Sequence, residues 1–279
     1  MPELPEVESV ARALAPALAR RRFGEVRVLS PSAVSRSPES LHRLSGRAIE
    51  RIGRRAKYLI VVLSGDWSLA IHLRMTGWLG IREGLAPPED LKHVRVLMEL
   101  VGSGWQPPGW LVFRDIRRFG RLWCGPRNRI VALPEMSRLG PEPLEISESD
   151  FVARLRERRG RLKSLLLNQR FLAGLGNIYV DEVLHDAGLH PLREASRLSV
   201  SSAKRLHASI RDVLRRAIRA GGTTRRDYFR PDGSPGWFKR ALKAYGRENE
   251  LCRSCGVGIV RRIVVGQRGT WFCPKCQRL

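Results

Sequence analysis

The sequence predicts an α+β chain of several domains: an N-terminal helix leading into a β-sandwich or barrel, a helical middle, and a small cysteine-bearing ribbon at the C-terminal end. Three observations carry this reading. Between residues 57 and 124, short runs rich in Val, Ile, Leu and Trp alternate with Gly, Pro and Ser, the punctuation of antiparallel strands. From Phe151 the apolar period lengthens to that of a helix. Near the end, Cys252 and Cys255 are separated by seventeen residues from Cys273 and Cys276, so that a hairpin can return the second pair to the first.

Each element follows from its own residues. From Glu3 to Leu18, the apolar Val7, Val10, Ala11, Leu14 and Leu18 recur at helical spacing. Pro5 suits a first helical turn, and Glu3, Glu6 and Glu8 sit at the positive end of the dipole. Strands are expected over Lys57–Leu63, Ser68–Leu73, Val94–Leu100, Trp110–Arg114 and Gly120–Cys124. These elements define an N-terminal domain over 1–132. The stretch 133–149 has three prolines, several glutamates and no clear period, and reads as a linker.

A helical domain is expected over 150–250. Phe151–Leu167 reads as one helix, and Asn177–Leu184 begins another after the turn Ala173-Gly174-Leu175-Gly176. The clearest helix is Leu198–Ile218, whose stripe of Leu206, Ile210, Val213, Leu214 and Ala217 is stopped by Gly221-Gly222. The polar segment 221–237 then reads as a mobile loop. A ribbon over 251–279, with a strand at Ile259–Val265, completes the chain.

Charge narrows the function. Fifty-one Lys+Arg against 27 Asp+Glu give +24 at pH 7. From Phe151 onward there are 28 basic and 10 acidic residues, a net of +18, whereas the first 150 carry only +6. A half that basic repels itself unless a polyanion is its partner; nucleic acid is the expected one, with an arginine-rich solvated surface and, more weakly, an anionic membrane surface as the alternatives. No apolar run approaches the roughly 20 residues that span a bilayer. Met1-Pro2-Glu3 is the wrong chemistry for a secretory leader. A cytosolic chain is expected, with no membrane partner.

In such a compartment thiols stay reduced, so Cys252, Cys255, Cys273 and Cys276 read as ligands of one zinc ion rather than as two disulfides. Four protein ligands leave no open position, which makes the site structural. The unpaired Cys124 reads as a small buried hydrophobe.

The amino terminus carries a second possibility. Removal of Met1 would leave Pro2 a secondary amine with a pKa of roughly 7.7–8. Such an amine can attack an electrophilic carbon to give an iminium, a permanent electron sink, with Glu3 beside it as a general acid. The alternative is an ordinary acid-rich helix start, and spacing alone leaves both open.

Six collinear motifs add to this. Pro2-Glu3-Leu4-Pro5-Glu6-Val7-Glu8, Gly53-Arg54-Arg55-Ala56-Lys57-Tyr58-Leu59, Ile71-His72-Leu73-Arg74-Met75-Thr76-Gly77, Asp115-Ile116-Arg117-Arg118-Phe119-Gly120, Gly174-Leu175-Gly176-Asn177-Ile178-Tyr179 and Tyr245-Gly246-Arg247 precede the ribbon in order. Together they resemble bacterial formamidopyrimidine-DNA glycosylases, which excise oxidised purines and cleave the strand at the resulting abasic site. The resemblance implies a β-sandwich, a helix–two-turn–helix domain and a zinc ribbon, acting as a monomer on double-stranded DNA that contains damaged bases.

Residue by residue, the resemblance implies that Pro2 attacks C1′ of the damaged nucleotide and that Glu3 supplies a proton. It places Lys57 near the lesion and its phosphate, and makes Arg268 the ribbon arginine that helps a second elimination. Met75, Arg117 and Phe119 match a trio that fills the void left by the everted nucleotide, where ordinary core is the alternative for Met75 and Phe119. Asn177 matches a phosphate-gripping asparagine. His93, Arg158, Lys163 and Tyr245 fall at further DNA-facing positions, and 221–237 at the loop over the everted base. Three positions depart from the family pattern: Ile116 replaces a proline, Asn168 stands where aspartate is common, and the cysteine pairs are one residue further apart. Two rivals remain, a sister enzyme for oxidised pyrimidines and a non-catalytic DNA-binding protein on the same scaffold.

Overall fold

Glu3 is the N-cap of helix α1 (Leu4–Leu18), and it forms a capping box with Glu6. The box satisfies amides that a helix start leaves without intrahelical partners. The apolar stripe read from the sequence is the buried face: Val7, Leu14 and Leu18 are within 2% of full burial. The computed structural model describes residues 1–102, 107–224 and 228–279. It divides into two units, Met1–Ser137 with Ala220–Trp237, and Arg138–Arg219 with Phe238–Leu279.

Among the described residues of the first unit, eight strands follow α1: β1 (Arg22–Val28), β2 (Ile49–Arg55), β3 (Tyr58–Leu63), β4 (Trp67–His72), β5 (Gly77–Glu83), β6 (Val94–Val101), β7 (Gly109–Asp115) and β8 (Arg121–Pro126). They form two antiparallel four-stranded sheets, ordered β1-β6-β7-β5 and β2-β3-β4-β8. Phe23, Val96 and Phe113 of the first sheet share one apolar core with Leu59, Leu69 and Leu122 of the second and with Val10 and Leu14 of α1. This is a sandwich, with the helix closing one side. Two short helices, α2 (Arg127–Ala132) and α3 (Pro134–Ser137), end the segment.

Three strands escape the sequence pattern. β2 carries Glu50 and Arg51 on an exposed surface, while the Arg54 guanidinium turns away from solvent to Glu8 at 3.0 Å. β5 is interrupted by Gly80, where a Cβ would meet the Trp78 ring. β1 slips register between Phe23 and Val26, and a Cβ on Gly24 would strike the Glu99 carboxylate. Glycine marks bulges and close approaches, which weakens a strand pattern.

The segment 221–237 was expected within the helical domain, but its described residues belong with the sheets. The amide of Thr223 and the hydroxyl of Tyr228 both donate to Glu6, and the indole of Trp78 donates to the Arg230 carbonyl. At its base the Trp237 amide donates to the Ala220 carbonyl at 2.9 Å. Residues 225–227 of this loop lie outside the described residues.

The second unit holds α4 (Glu148–Arg156), α5 (Leu162–Leu167), α6 (Asn177–Asp186) and α7 (Val200–Arg219), then the hairpin β9 (Arg261–Val265) and β10 (Arg268–Phe272). The single helix expected over Phe151–Leu167 is two, because Glu157–Arg161 leaves the helix and Gly160 takes φ +115°. Ser199 starts α7, its hydroxyl accepting the Ser202 amide at 3.2 Å. Among the described residues, no helix is long and apolar enough to cross a membrane.

Candidate nucleic-acid interface and metal centre

In the first unit, several predicted residues converge on two openings. A cavity of about 370 Å³ is lined by Met1, Arg36, Arg74, Met75, Phe119 and Arg121, among others. Pro2 and Glu3 are buried directly behind Met1 in the chain. Met75 is 37% and Phe119 47% exposed, so neither is core. The guanidinium of Arg117 lies 4.8 Å over the Phe119 ring, a cation–π contact that holds the exposed pair as one wedge.

Backbone strain aims these side chains. Ala56, Arg74 and Arg118 have φ of +51°, +54° and +58°, immediately before Lys57, Met75 and Phe119 respectively. Left-handed backbone at non-glycine residues is costly and is retained where a turn must point a side chain. Lys57 is buried in the β2–β3 turn. It and Arg74 help to depress the neighbouring His72, which burial foremost drives down to about 3. His72 is therefore a neutral acceptor, taking the Arg74 amide on Nδ1 at 2.9 Å.

The second cavity, about 550 Å³, is lined by Thr76, Trp78, His93, Asp115 and Phe229, among others. Asp115 organises its edge. One carboxylate oxygen accepts the Thr76 hydroxyl (2.5 Å) and the Arg117 amide (3.2 Å), and the other accepts the Gly120 amide (2.6 Å). The carboxylate thus fixes the turn that presents Arg117 and Phe119, a task that spacing alone did not assign to it. Glu6 does more than favour the positive end of the α1 dipole. It is a buried acceptor for the amides of Glu3 (2.8 Å) and Thr223 (2.7 Å).

In the second unit, Asn177 opens α6 and donates from Nδ2 to the Gly269 carbonyl at 3.0 Å, next to Arg268. The two residues therefore share one edge. Arg268 is exposed and follows the two-residue turn Gly266-Gln267, in which both φ are positive, the backbone of a type I′ hairpin. Gln169 clamps the loop before Asn177: its amide donates to Leu175 O and its oxygen accepts the Gly174 amide. Arg158 is exposed. Tyr245 stacks edge-on against Trp271 at 4.6 Å, and the amides of Lys243, Ala244 and Tyr245 all donate to Glu182.

Lys163 departs from expectation. It is fully buried, with its ammonium 2.5 Å from Asp181, so it does not face solvent where a phosphate would lie. Asp181 also accepts the Trp271 amide at 3.1 Å, and burial pushes its carboxyl up against the pull of Lys163. Lys163 thus supports the α6–β10 contact from inside.

The four ribbon cysteines come together as expected. Their sulfurs lie within 4.8 Å of one another, with Cys252–Cys276 and Cys255–Cys273 each at 3.8 Å. A tetrahedral site with metal–sulfur bonds of about 2.3 Å spaces its sulfurs about 3.8 Å apart, whereas a disulfide needs about 2.05 Å. The amides of Val257 and Gly258 pull the Cys255 thiol down, whereas burial pushes the Cys273 and Cys276 thiols up. The donor set and spacing fit a metal ion. Cys124 is a buried free thiol, pushed up to about 11 by burial.

Residues 1–122 match the family described as formamidopyrimidine-DNA glycosylase N-terminal domain, and residues 139–228 match its H2TH domain. Formamidopyrimidine-DNA glycosylases of Pelotomaculum thermopropionicum and Cereibacter sphaeroides are 42% and 43% identical, each over 100% of both chains. Among solved structures, a Lactococcus lactis FPG variant in complex with a Fapy-dG containing DNA is 37% identical, with a TM-score of 0.88 over 100% of both chains. The Lactococcus lactis Fpg in complex with an abasic site containing DNA gives the same identity and TM-score over 99% of this chain.

Proposed function

Because this chain belongs to the formamidopyrimidine-DNA glycosylase family, we propose that it is a bifunctional glycosylase and abasic-site lyase for oxidised purines, 8-oxoguanine and formamidopyrimidines, in the bacterial cytoplasm. The carrying observation is the shared opening of Met1, Met75 and Phe119, which puts the chain start and the exposed wedge on one cavity.

In this reading Met1 is removed and the Pro2 nitrogen attacks C1′ of an everted nucleotide. The glycosidic bond breaks and the base leaves with a proton; the nitrogen sheds its own proton, and its pair then closes an iminium to C1′ as the C1′–O4′ bond breaks and O4′ takes a proton. Glu3 delivers a proton during base loss or ring opening. Loss of a C2′ proton expels the 3′ phosphate, and a second elimination expels the 5′ phosphate, leaving phosphate at both ends of a gap. Lys57 serves the lesion side, and Arg268 holds the phosphate for the second step. Met75, Arg117 and Phe119 fill the vacated stack, where Arg117 can hydrogen-bond the orphaned base. His93, Arg158, Asn177 and Tyr245 hold the DNA backbone.

The metal is zinc, held by Cys252, Cys255, Cys273 and Cys276. It folds the ribbon and takes no part in the chemistry.

The test is borohydride trapping on a duplex with 8-oxoguanine opposite cytosine. The wild type should form a covalent adduct and Pro2→Gly should not. No wild-type adduct would sink the lyase reading, and an adduct with thymine glycol alone would move the enzyme to the pyrimidine branch.

A further inference from the structure

Helix α6 meets the ribbon through three polar side chains spaced one turn apart. Asn177 donates to the Gly269 carbonyl (3.0 Å), Asp181 accepts the Trp271 amide (3.1 Å), and His185 places Nε2 3.3 Å from the sulfur of Cys252. Residues at i, i+4 and i+8 lie on one helical face, so a single row of side chains grips both β10 and the first metal-binding turn.

The third rung can be oriented by elimination. His185 is buried, and its Nδ1 has no hydrogen-bond partner among the described residues. A proton on Nδ1 alone would bury an unpaired N–H and turn the Nε2 lone pair towards a sulfur that, as a thiolate, only accepts. The proton therefore belongs on Nε2. The Cys252 sulfur then receives two donors, His185 and the Ser254 amide at 3.4 Å. Four thiolates around one divalent ion leave a net charge of about −2, with Cys252 and Cys273 buried and Cys255 and Cys276 half-buried, and N–H donors to sulfur disperse it.

We propose that His185 is a positioning residue of the metal centre: its Nε2–H donates to the Cys252 thiolate and fastens the C-terminal end of α6 to the ribbon. The same helix begins at Asn177, so the metal turn and the end of α6 beside Arg268 form one mechanical unit. This inference rests on the reading that the four thiolates hold zinc.

The experiment uses the full-length chain. Zinc content as purified tests the underlying reading: about one equivalent supports it, and none overturns it. His185 itself is tested by zinc transfer to a chromogenic chelator and by the sulfur-to-metal charge-transfer band of the cobalt-substituted protein. The cobalt band can be read whatever the native metal proves to be. His185→Phe, which keeps a flat ring but no N–H, should release zinc about 10–100-fold faster, in line with other lost outer-shell partners of metal ligands. Its cobalt band should move to longer wavelength, because an unscreened thiolate gives up charge more readily. His185→Gln, whose terminal N–H matches the reach of Nε2, should restore the band and hold release within about threefold of wild type. A phenylalanine variant that matches wild type in both readouts would overturn the proposal. So would one that loses zinc quickly with an unmoved band and no rescue by glutamine. Should His185→Phe fail to fold by circular dichroism, the glutamine variant alone decides: a band shifted from wild type contradicts the assignment.

Discussion

Glu6 and Thr223, 217 residues apart in sequence, are joined by a 2.7 Å hydrogen bond from the Thr223 amide to the buried Glu6 carboxylate. The other oxygen of that carboxylate takes the amide of Glu3 at 2.8 Å. One side chain thus fixes the start of the chain and the base of the 220–237 segment together. Gly222 sits against it with φ +81°, and a Cβ there would lie 2.8 Å from Glu6 Oε1. Glu6→Gln replaces one acceptor with a donor facing an amide. It should cost about 1.5–3 kcal/mol, the range for hydrogen bonds to charged groups. Denaturant unfolding at pH 7.5 measures the loss, and an unchanged midpoint would contradict it.

Trp78 anchors the far side of the same segment, its indole N–H donating to the Arg230 carbonyl at 3.1 Å. Trp78→Phe keeps the ring and removes the donor. A neutral hydrogen bond is worth about 1 kcal/mol, so single-turnover base excision should fall about fivefold with no change in fold. Equal rates would show that this tether does not bear on the reaction.

His72 sets an acid limit. Its folded-state value of about 3 lies below the ordinary 6.5, so the unfolded chain binds a proton that the folded chain refuses. Stability from this residue is complete above pH 6.5 and is lost as pH falls from there towards 3. Between pH 7.5 and 5 the loss should reach about 2 kcal/mol. Urea unfolding at the two pH values, in wild type and His72→Gln, isolates the effect. The variant should show the smaller drop, and parallel drops would refute the assignment.

Lys163 separates burial from DNA contact. Removing its ammonium strands the Asp181 charge, so Lys163→Met should destabilise the chain by about 3–5 kcal/mol, and adding Asp181→Leu should recover much of that. Arg268→Ala should instead leave stability alone and reduce the salt slope of DNA binding by about one. A lower salt slope in folded Lys163→Met protein would return that lysine to the interface.

Much of this was legible in the residues. The four cysteines announce their cluster because metal-ligand spacing is local, and α1 and α7 announce themselves by period. The strands β1, β2 and β5 did not, since glycine bulges and charged outer faces erase alternation. Asp115, Glu6 and Asp181 were invisible as organisers for another reason. Each is an acid whose partners are backbone amides or a lysine brought close only by the fold, and no spacing encodes that. Lys163 was misplaced because a motif position records residue type and not burial.

The reaction proposed above turns on the Pro2 nitrogen as nucleophile. Protease digestion and mass spectrometry of the borohydride-trapped complex locate the bond directly. With Pro2 as the nucleophile, the sugar remnant lies on an N-terminal peptide that begins at Pro2 and lacks Met1. A remnant on Lys57 or any other lysine, or an adduct from chains that retain Met1, would contradict it.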